Sequence, residues 1–248
     1  MITKIGIITL FPEVFEHSLC GVTGKFIKEN NLLTTFNIRD FAHKGYIDDT
    51  PYGGGPGMLM KAEPLFKCLN QAKKTIPKAT VILMSPRGTK LNQPIINNLA
   101  KMEQIILICG RYEGIDQRFI DAAVDMEISI GDFILSGGEI AAMSIIDACI
   151  RLQQGALGSI ESIHNESFNS QLLEHDQYTK PREILQLKVP KELLSGNHQK
   201  IKTWKRINSL GKTWQKRPDL LDKDKLSKQD IEYLNEFKSQ IIEGDKNE

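Results

Sequence analysis

The chain has 248 residues, 40% of them hydrophobic and 25% charged, with a formal net charge of +1. That length can bury a large core, or a core plus a smaller module, without disulfide staples, and the composition excludes collagenous, disordered and membrane-embedded classes. A net charge this small argues against a nucleic-acid partner, yet residues 193–218 hold seven Lys or Arg and no acid, so the rest of the chain is net acidic.

The opening MITKIGIITLFPEVF has its apolar run cut by Pro12 and Glu13, with no small-residue cleavage site after it. It reads as a first strand over residues 4–10 rather than a secretion signal. No apolar stretch approaches the roughly 18 residues of a membrane span, so no membrane partner and a cytoplasmic location are expected. Cys20, Cys68, Cys109 and Cys149 lie far apart, with no C-x-x-C pair and no histidine at zinc-finger spacing. All four are expected to be reduced, small core residues.

A helical period follows over residues 13–29, and then comes PYGGGPGM, residues 51–58, with four glycines and two prolines. Such a segment is neither helix nor central strand. It is a flexible surface loop or a place where backbone approaches a ligand closely, and the prolines and Tyr52 favour the second. Beyond it, short Ile/Val/Leu-rich runs at 80–85, 104–110 and 126–135 read as buried strands. They alternate with helical periods at 62–74, 93–101, 115–123 and 139–153. The alternation predicts an α/β fold, a mostly parallel sheet with helices on both faces.

Ligands of such sheets sit beyond the carboxyl ends of the strands. SPRG, CGRYEGID (residues 109–116) and SIGDFILSGGE (129–139) all fall there. No nucleotide fingerprint accompanies them. Arg206 stands where a P-loop ending in Gly211-Lys212-Thr213 would need its first glycine, and no G-x-G-x-x-G follows a strand. Glycine amides without a lysine suit an adenosine better than a polyphosphate. The turn of Arg111, Tyr112 and Glu113 can display polar groups or be a salt-bridged turn with Glu113 or Asp116 capping the next helix. In the apolar helix after Gly138, Asp147 and Arg151 stand four apart, the spacing of an intrahelical ion pair.

From residue 155 to 176 periodicity fades into Gly, Ser, His, Asn and acids, which reads as an interdomain linker. A small helical module follows, broken at Ser195-Gly196-Asn197, with Ser227 expected to cap a last helix over 228–242. Its basic stretch from Lys200 to Arg217 contains Trp204 and Trp214. These rings could stack on nucleic acid or form the module's own core.

Four motifs, DDTPYGGGPGMLM, LICGRYEGID, SIGDFILSGGE and LLSGNH, in this order and spacing, closely resemble the bacterial tRNA (guanine-N1-)-methyltransferases of the TrmD type. The similarity covers nearly the whole chain. It implies a SPOUT-type α/β domain with a deep trefoil knot over residues 1–160, a mobile linker over 161–176 and a helical tRNA-binding domain over 177–248. It also implies a homodimer with active sites at the subunit interface and S-adenosylmethionine as methyl donor. The acceptor would be N1 of the guanosine just 3′ of the tRNA anticodon.

Carried over by motif position, the donor would contact Ser85, Pro86, Gly110, Tyr112, Glu113 and Gly114, and then Ile130, Gly131, Phe133, Leu135, Gly137 and Gly138. The general base falls at Glu166, with Glu161, Glu174 and Asp176 as alternatives, and the arginine facing guanine O6 at Arg151. Much of the family has aspartate at the position of Glu166, so this chain departs by one methylene. Thr50 and Ala141 also stand where arginine and proline are common in relatives. Asp48, Tyr52, Gly55, Arg111, Lys205 and Arg206 are expected tRNA or interface contacts. The family's dependence on magnesium finds no carboxylate cage here, so no metal ligand is assigned, and such an ion would be held mostly by ligands and water.

Overall fold

The structure, a computed structural model, describes residues 1–157, 166–168 and 172–244. It forms two compact units, Met1–Gly158 and Ser159–Glu248.

In the first unit, strands β1 (Lys4–Thr9), β2 (Leu33–Asn37), β5 (Thr80–Lys90), β6 (Gln104–Cys109) and β7 (Met126–Ser129) form one sheet in the order β2-β1-β6-β5-β7. Every pairing in it is parallel. Ile5, Ile7, Ile82, Met84, Ile105, Leu107 and Cys109 face one apolar layer. That layer is completed by α1 (Glu13–Ser18), α2 (Gly21–Glu29), α4 (Gln93–Leu99) and α6 (Glu139–Arg151). Ile8, Val81, Leu83, Ile106 and Ile108 face the other, against α3 (Ala62–Thr75) and α5 (Gln117–Ala123). The period-two alternation of β-branched residues buried on both faces is what a parallel sheet between two helical layers requires. Each fully buried Ile or Leu contributes about 1.5–3 kcal/mol.

Several boundaries differ from the sequence expectation. The helix expected over 13–29 is two helices, parted at Leu19–Cys20. Gly24 packs there so closely on the Leu19 carbonyl that a side chain would overlap it. The run expected as a strand over 126–135 ends at Ser129, and β5 extends to Lys90. Met84 and Thr89 both pair with Ile128, so residues 85–88 bulge out before the strand returns alongside β7. Cys68, Cys109 and Cys149 are buried as expected, but Cys20 is exposed, because it stands in the break between α1 and α2. Burial pushes the Cys68 and Cys149 thiols up to about 12.

The second unit contains a two-stranded hairpin, β8 (Glu183–Ile184) with β9 (Leu187–Lys188), a short α7 (Lys191–Leu194), and two long helices. Helices α8 (His198–Lys216) and α9 (Lys228–Gly244) pack around Leu172, Leu210 and Leu234. The Asn197 side chain caps α8 by accepting from the amides of Gln199 and Lys200 at 3.0 and 3.1 Å. Ser227 caps α9, as the sequence predicts, its Oγ accepting from Asp230 N at 3.1 Å. Asp230 closes a reciprocal box, its Oδ2 accepting from Ser227 N at 3.2 Å. Gly211 lies against the Phe237 ring, where a Cβ would overlap it. Among the described residues no helix is long and apolar enough to cross a membrane.

Candidate functional site

Three chain segments meet where the β5 bulge begins, where β6 ends and where α6 starts, and glycine lets them do so. A Cβ at Gly138 would stand 2.8 Å from Cys109 Cα, 3.0 Å from Met84 Cβ and 3.2 Å from Gly110 N. Real Cβ atoms do not tolerate the first of these, so the residue just before α6 can only be glycine while the strand ends stay put. The amide of Gly138 donates to the Gly110 carbonyl at 3.0 Å, which ties the third turn to the second. Gly137 lies against the Arg111 side chain in the same way.

The turn between β7 and α6 exposes Phe133 and Ile134 and leaves Leu135 half-buried. Amides of Asp132, Phe133, Ile134 and Leu135 donate to no carbonyl of the described residues. Gly131 N is held by Ser129 Oγ at 3.2 Å, and Ile130 packs against the first apolar layer. On the β5 bulge, Ser85 Oγ accepts from Arg87 N at 3.2 Å and Pro86 is exposed. Tyr112 is exposed with a left-handed φ of 60°. The turn thus combines backbone amides without a carbonyl partner among the described residues with exposed apolar side chains.

The second turn is also stitched to the Pro51–Met58 segment. Glu113 N donates to Met58 O at 3.0 Å, Met60 N to Gly114 O at 2.9 Å and Asp116 N to Met60 O at 3.0 Å. Asp48 pairs with Met60 across β3 (Asp48–Asp49) and β4 (Leu59–Met60), which closes the base of this loop. Gly53, Gly54, Gly55 and Gly57 all have positive φ, between 76° and 120°, and Tyr52 at the tip is 98% exposed. Asp116 rather than Glu113 caps α5, accepting from Arg118 N at 3.0 Å.

Arg111 is turned inward. Its Nη1 donates to the Ser136 carbonyl at 3.1 Å, its Nη2 lies 3.0 Å from Glu139 Oε2, and its guanidinium stacks 4.5 Å from the Phe11 ring centroid. Glu139 Oε1 accepts from Thr9 Oγ1 at 2.8 Å, and Thr9 Oγ1 accepts from Phe11 N at 3.0 Å. Nothing in the sequence around Thr9, Phe11 or Ser136 signals these contacts; only Glu139, directly after the paired glycines, carries a signal. Burial, reinforced by Glu139 and opposed by Arg111, holds the Cys109 thiol well above its ordinary value, so it is no nucleophile.

Arg151 ends α6 and is half-buried, and its neighbour Asp147 accepts from the Thr23 hydroxyl at 2.7 Å. Glu166 begins a turn in the second unit that is closed by Phe168 N donating to Leu172 O and Glu174 N to Ser167 Oγ, each at 2.9 Å. Glu161 lies outside the described residues. Asp176 is bound by Lys212 at 2.8 Å and Asn208 at 3.3 Å. Its burial works against the charged form, but these partners prevail and hold its carboxyl below the ordinary range. A carboxylate stabilised in this way is a weaker base than an unperturbed one.

On α8, Lys205 is exposed, whereas Arg206 Nε donates to Asp230 Oδ1 at 2.7 Å. Trp204 packs edge-on to His175 and Tyr178 at centroid distances of 6.3 and 6.2 Å, and Trp214 lies at the surface beneath Lys238 Nζ at 5.0 Å. Trp204 thus packs within the unit, whereas Trp214 is partly exposed. Among the described residues no three His, Cys, Asp or Glu side chains are grouped to hold a metal.

A family model described as tRNA (Guanine-1)-methyltransferase TrmD matches residues 3–223. The tRNA (guanine-N(1)-)-methyltransferase of Geotalea uraniireducens is 51% identical over 238 residues, covering 94% of this chain and 96% of that protein. That of Buchnera aphidicola subsp. Schizaphis graminum is 50% identical over 236 residues, covering 94% and 90%. In Dictyoglomus turgidum the enzyme of the same name is 46% identical over 244 residues, covering 97% and 98%. A match along nearly the whole chain, with the glycine turns inside it, establishes that this protein belongs to the TrmD family of tRNA (guanine-1)-methyltransferases and is a methyltransferase.

Proposed function

We propose that this enzyme transfers the methyl group of S-adenosylmethionine to N1 of the guanosine immediately 3′ of the tRNA anticodon. The observation that carries the donor assignment is the meeting of the β5, β6 and β7 turns at Gly110 and Gly138, beside a run of unspent amides. When bound, S-adenosylmethionine supplies an electrophilic sulfonium methyl. Guanine N1 is protonated in the neutral base, so methylation needs a proton acceptor. Glu166 takes that proton. The freed N1 lone pair forms the new C–N bond as the carbon–sulfur bond breaks, and the sulfur leaves as a neutral thioether. Arg151 places its guanidinium against O6, where negative charge grows as the proton departs.

Several further features belong to the same reading. The first unit is a knotted SPOUT domain acting as a cytoplasmic homodimer, and exposed Phe133, Ile134, Ile140 and Tyr112 beside the donor turns support a covering partner surface. The linker carries the base, and the helical unit grips tRNA with Lys205 and its neighbours. Asp48, Tyr52 and Gly55, on the loop stitched to the donor turn, face tRNA or the partner. Magnesium, with no carboxylate cluster to hold it among the described residues, would be bound through ligands and water.

Glu166→Gln tests the base. Turnover should fall by roughly 10²–10⁴-fold with donor and tRNA binding intact, while Glu166→Asp retains much of it. Nearly normal turnover in Glu166→Gln would remove Glu166 from this role. Arg151→Ala should lose more turnover than donor affinity; equal losses would point to binding or folding instead.

A further inference from the structure

We propose that Arg111, Glu139 and Thr9 form a positioning network that sets the donor turn, an inference that rests on the donor assignment above. None of the three need touch the donor. Thr9 ends β1, Arg111 follows β6 and Glu139 opens α6, so one chain of contacts links two strand ends to the start of the helix that the glycine turn feeds. The link runs over 130 positions of sequence between Thr9 and Glu139. Its terminus on the turn is the Ser136 carbonyl, which accepts from Arg111 Nη1, with Gly137 pressed against the same side chain.

The network does not look like a device for stability. Glu139 is 2% exposed, yet its Oε2 accepts no aligned hydrogen bond among the described residues despite the 3.0 Å approach of Arg111, and Arg111 Nε is buried without a partner. A buried pair held out of its best geometry is costly compared with an apolar pair of the same size. Such departures are found where a fold must hold a site in place. Here Arg111 spans from the Glu139 carboxylate to the Ser136 carbonyl, and the Phe11 ring closes its outer face. Loss of the guanidinium frees the Ser136 carbonyl and opens space beside Gly137, so the turn can shift without unfolding. A displacement of about 1 Å in a binding or reacting geometry can cost up to about a hundredfold.

The decisive variant is Arg111→Met combined with Glu139→Met, which removes both charges while keeping side-chain bulk. Calorimetry with S-adenosylmethionine, thermal melting and steady-state methylation of tRNA would be measured on the full chain. Melting should stay close to wild type while donor affinity falls roughly tenfold or more, with donor KM raised more than kcat is lowered. Arg111→Lys keeps a charge beside Glu139 but cannot reach both partners, so it should be intermediate. Should the double variant fail to fold, Thr9→Val gives the answer, since it removes one hydroxyl and should still weaken donor binding. Wild-type donor affinity in the double variant, or in Thr9→Val if that variant has to be used, would overturn the network's role. A wild-type protein that binds no S-adenosylmethionine would instead overturn the donor assignment, and this inference with it.

Discussion

Arg206 with Asp230 in the helical unit, and Arg111 with Glu139 in the α/β unit, are both arginine–carboxylate pairs, and both arginines read in sequence as contacts for tRNA. In the helical unit neither partner has a buried polar atom left unpaired. Asp230 accepts from Arg206 Nε at 2.7 Å, from Ser227 Oγ at 2.8 Å and from Ser227 N at 3.2 Å. The pair in the α/β unit is more deeply buried, with side-chain exposures of 24% and 3% against 39% and 12%, yet its carboxylate and guanidinium are incompletely satisfied. A well-satisfied pair near the surface is what a helix junction needs for modest stability. An under-satisfied, buried pair contributes less to stability than an apolar pair of the same size, and we propose that this one serves the geometry of the adjoining turn instead.

The largest effect should come from breaking the buried pair on one side only. Glu139→Ala leaves the Arg111 charge without its counter-ion in a largely dry place, and a destabilisation of about 3 kcal/mol is expected in thermal or urea unfolding. A loss well below 1 kcal/mol would mean that water already screens the pair. Gly138→Ala comes next, at about 1–3 kcal/mol, because the new methyl group would press on the backbone of Cys109. Donor affinity should fall with it, which calorimetry would register.

Breaking the helical unit's pair should matter less. For Asp230→Asn a loss of about 1 kcal/mol is expected, since Arg206 is more than one-third exposed and solvent replaces part of what is lost. Donor binding should not change. The hydrogen bond from Arg206 lowers the Asp230 carboxyl to about 2 from its ordinary 3.8, against a burial cost, with help from Ser227. The stability it contributes is therefore complete above about pH 4 and is lost as pH falls through about 2. Acid unfolding of Asp230→Asn should lack that component; an unchanged acid limb would show that the pair contributes nothing there.

Smallest of all should be Gly55→Ala. Gly55 has a φ of 120° and open space around the position of a Cβ, so the cost is backbone strain alone, about 1 kcal/mol. Its contrast with Gly138 is informative. Gly138 has an ordinary helical φ of −80° and is required by contact, whereas Gly55 is required by conformation. Donor affinity should therefore respond to Gly138→Ala and remain unchanged in Gly55→Ala.

These contrasts also mark what the sequence could disclose. Strands β1, β5 and β6 announce themselves through runs rich in Ile, Val and Leu, and the glycine turns through composition. Strand β2 does not, because Leu33-Thr34-Thr35-Phe36-Asn37 is an edge strand paired only with β1 and carries only two large apolar residues. The end of β7 was hidden because Ile130, Phe133 and Ile134 continue the apolar run while Gly131 turns the chain out of the sheet. The carboxylate partners of Arg111 and Arg206 were not legible for another reason: an ion pair distant in sequence is seen only once the chain is folded, and Asp230 lies 24 residues from Arg206. The glycine turns were thus legible as places, whereas the side chains packed against them became legible only in the fold.

The reaction itself is the most direct test. The full-length protein should be incubated with methyl-labelled S-adenosylmethionine and an unmodified tRNA carrying guanosine just 3′ of its anticodon, and the labelled nucleotide mapped by nuclease digestion and mass spectrometry. One methyl group on N1 of that guanosine, lost when it is replaced by adenosine, is the predicted result. Label on a different base, or no transfer at all, would contradict it.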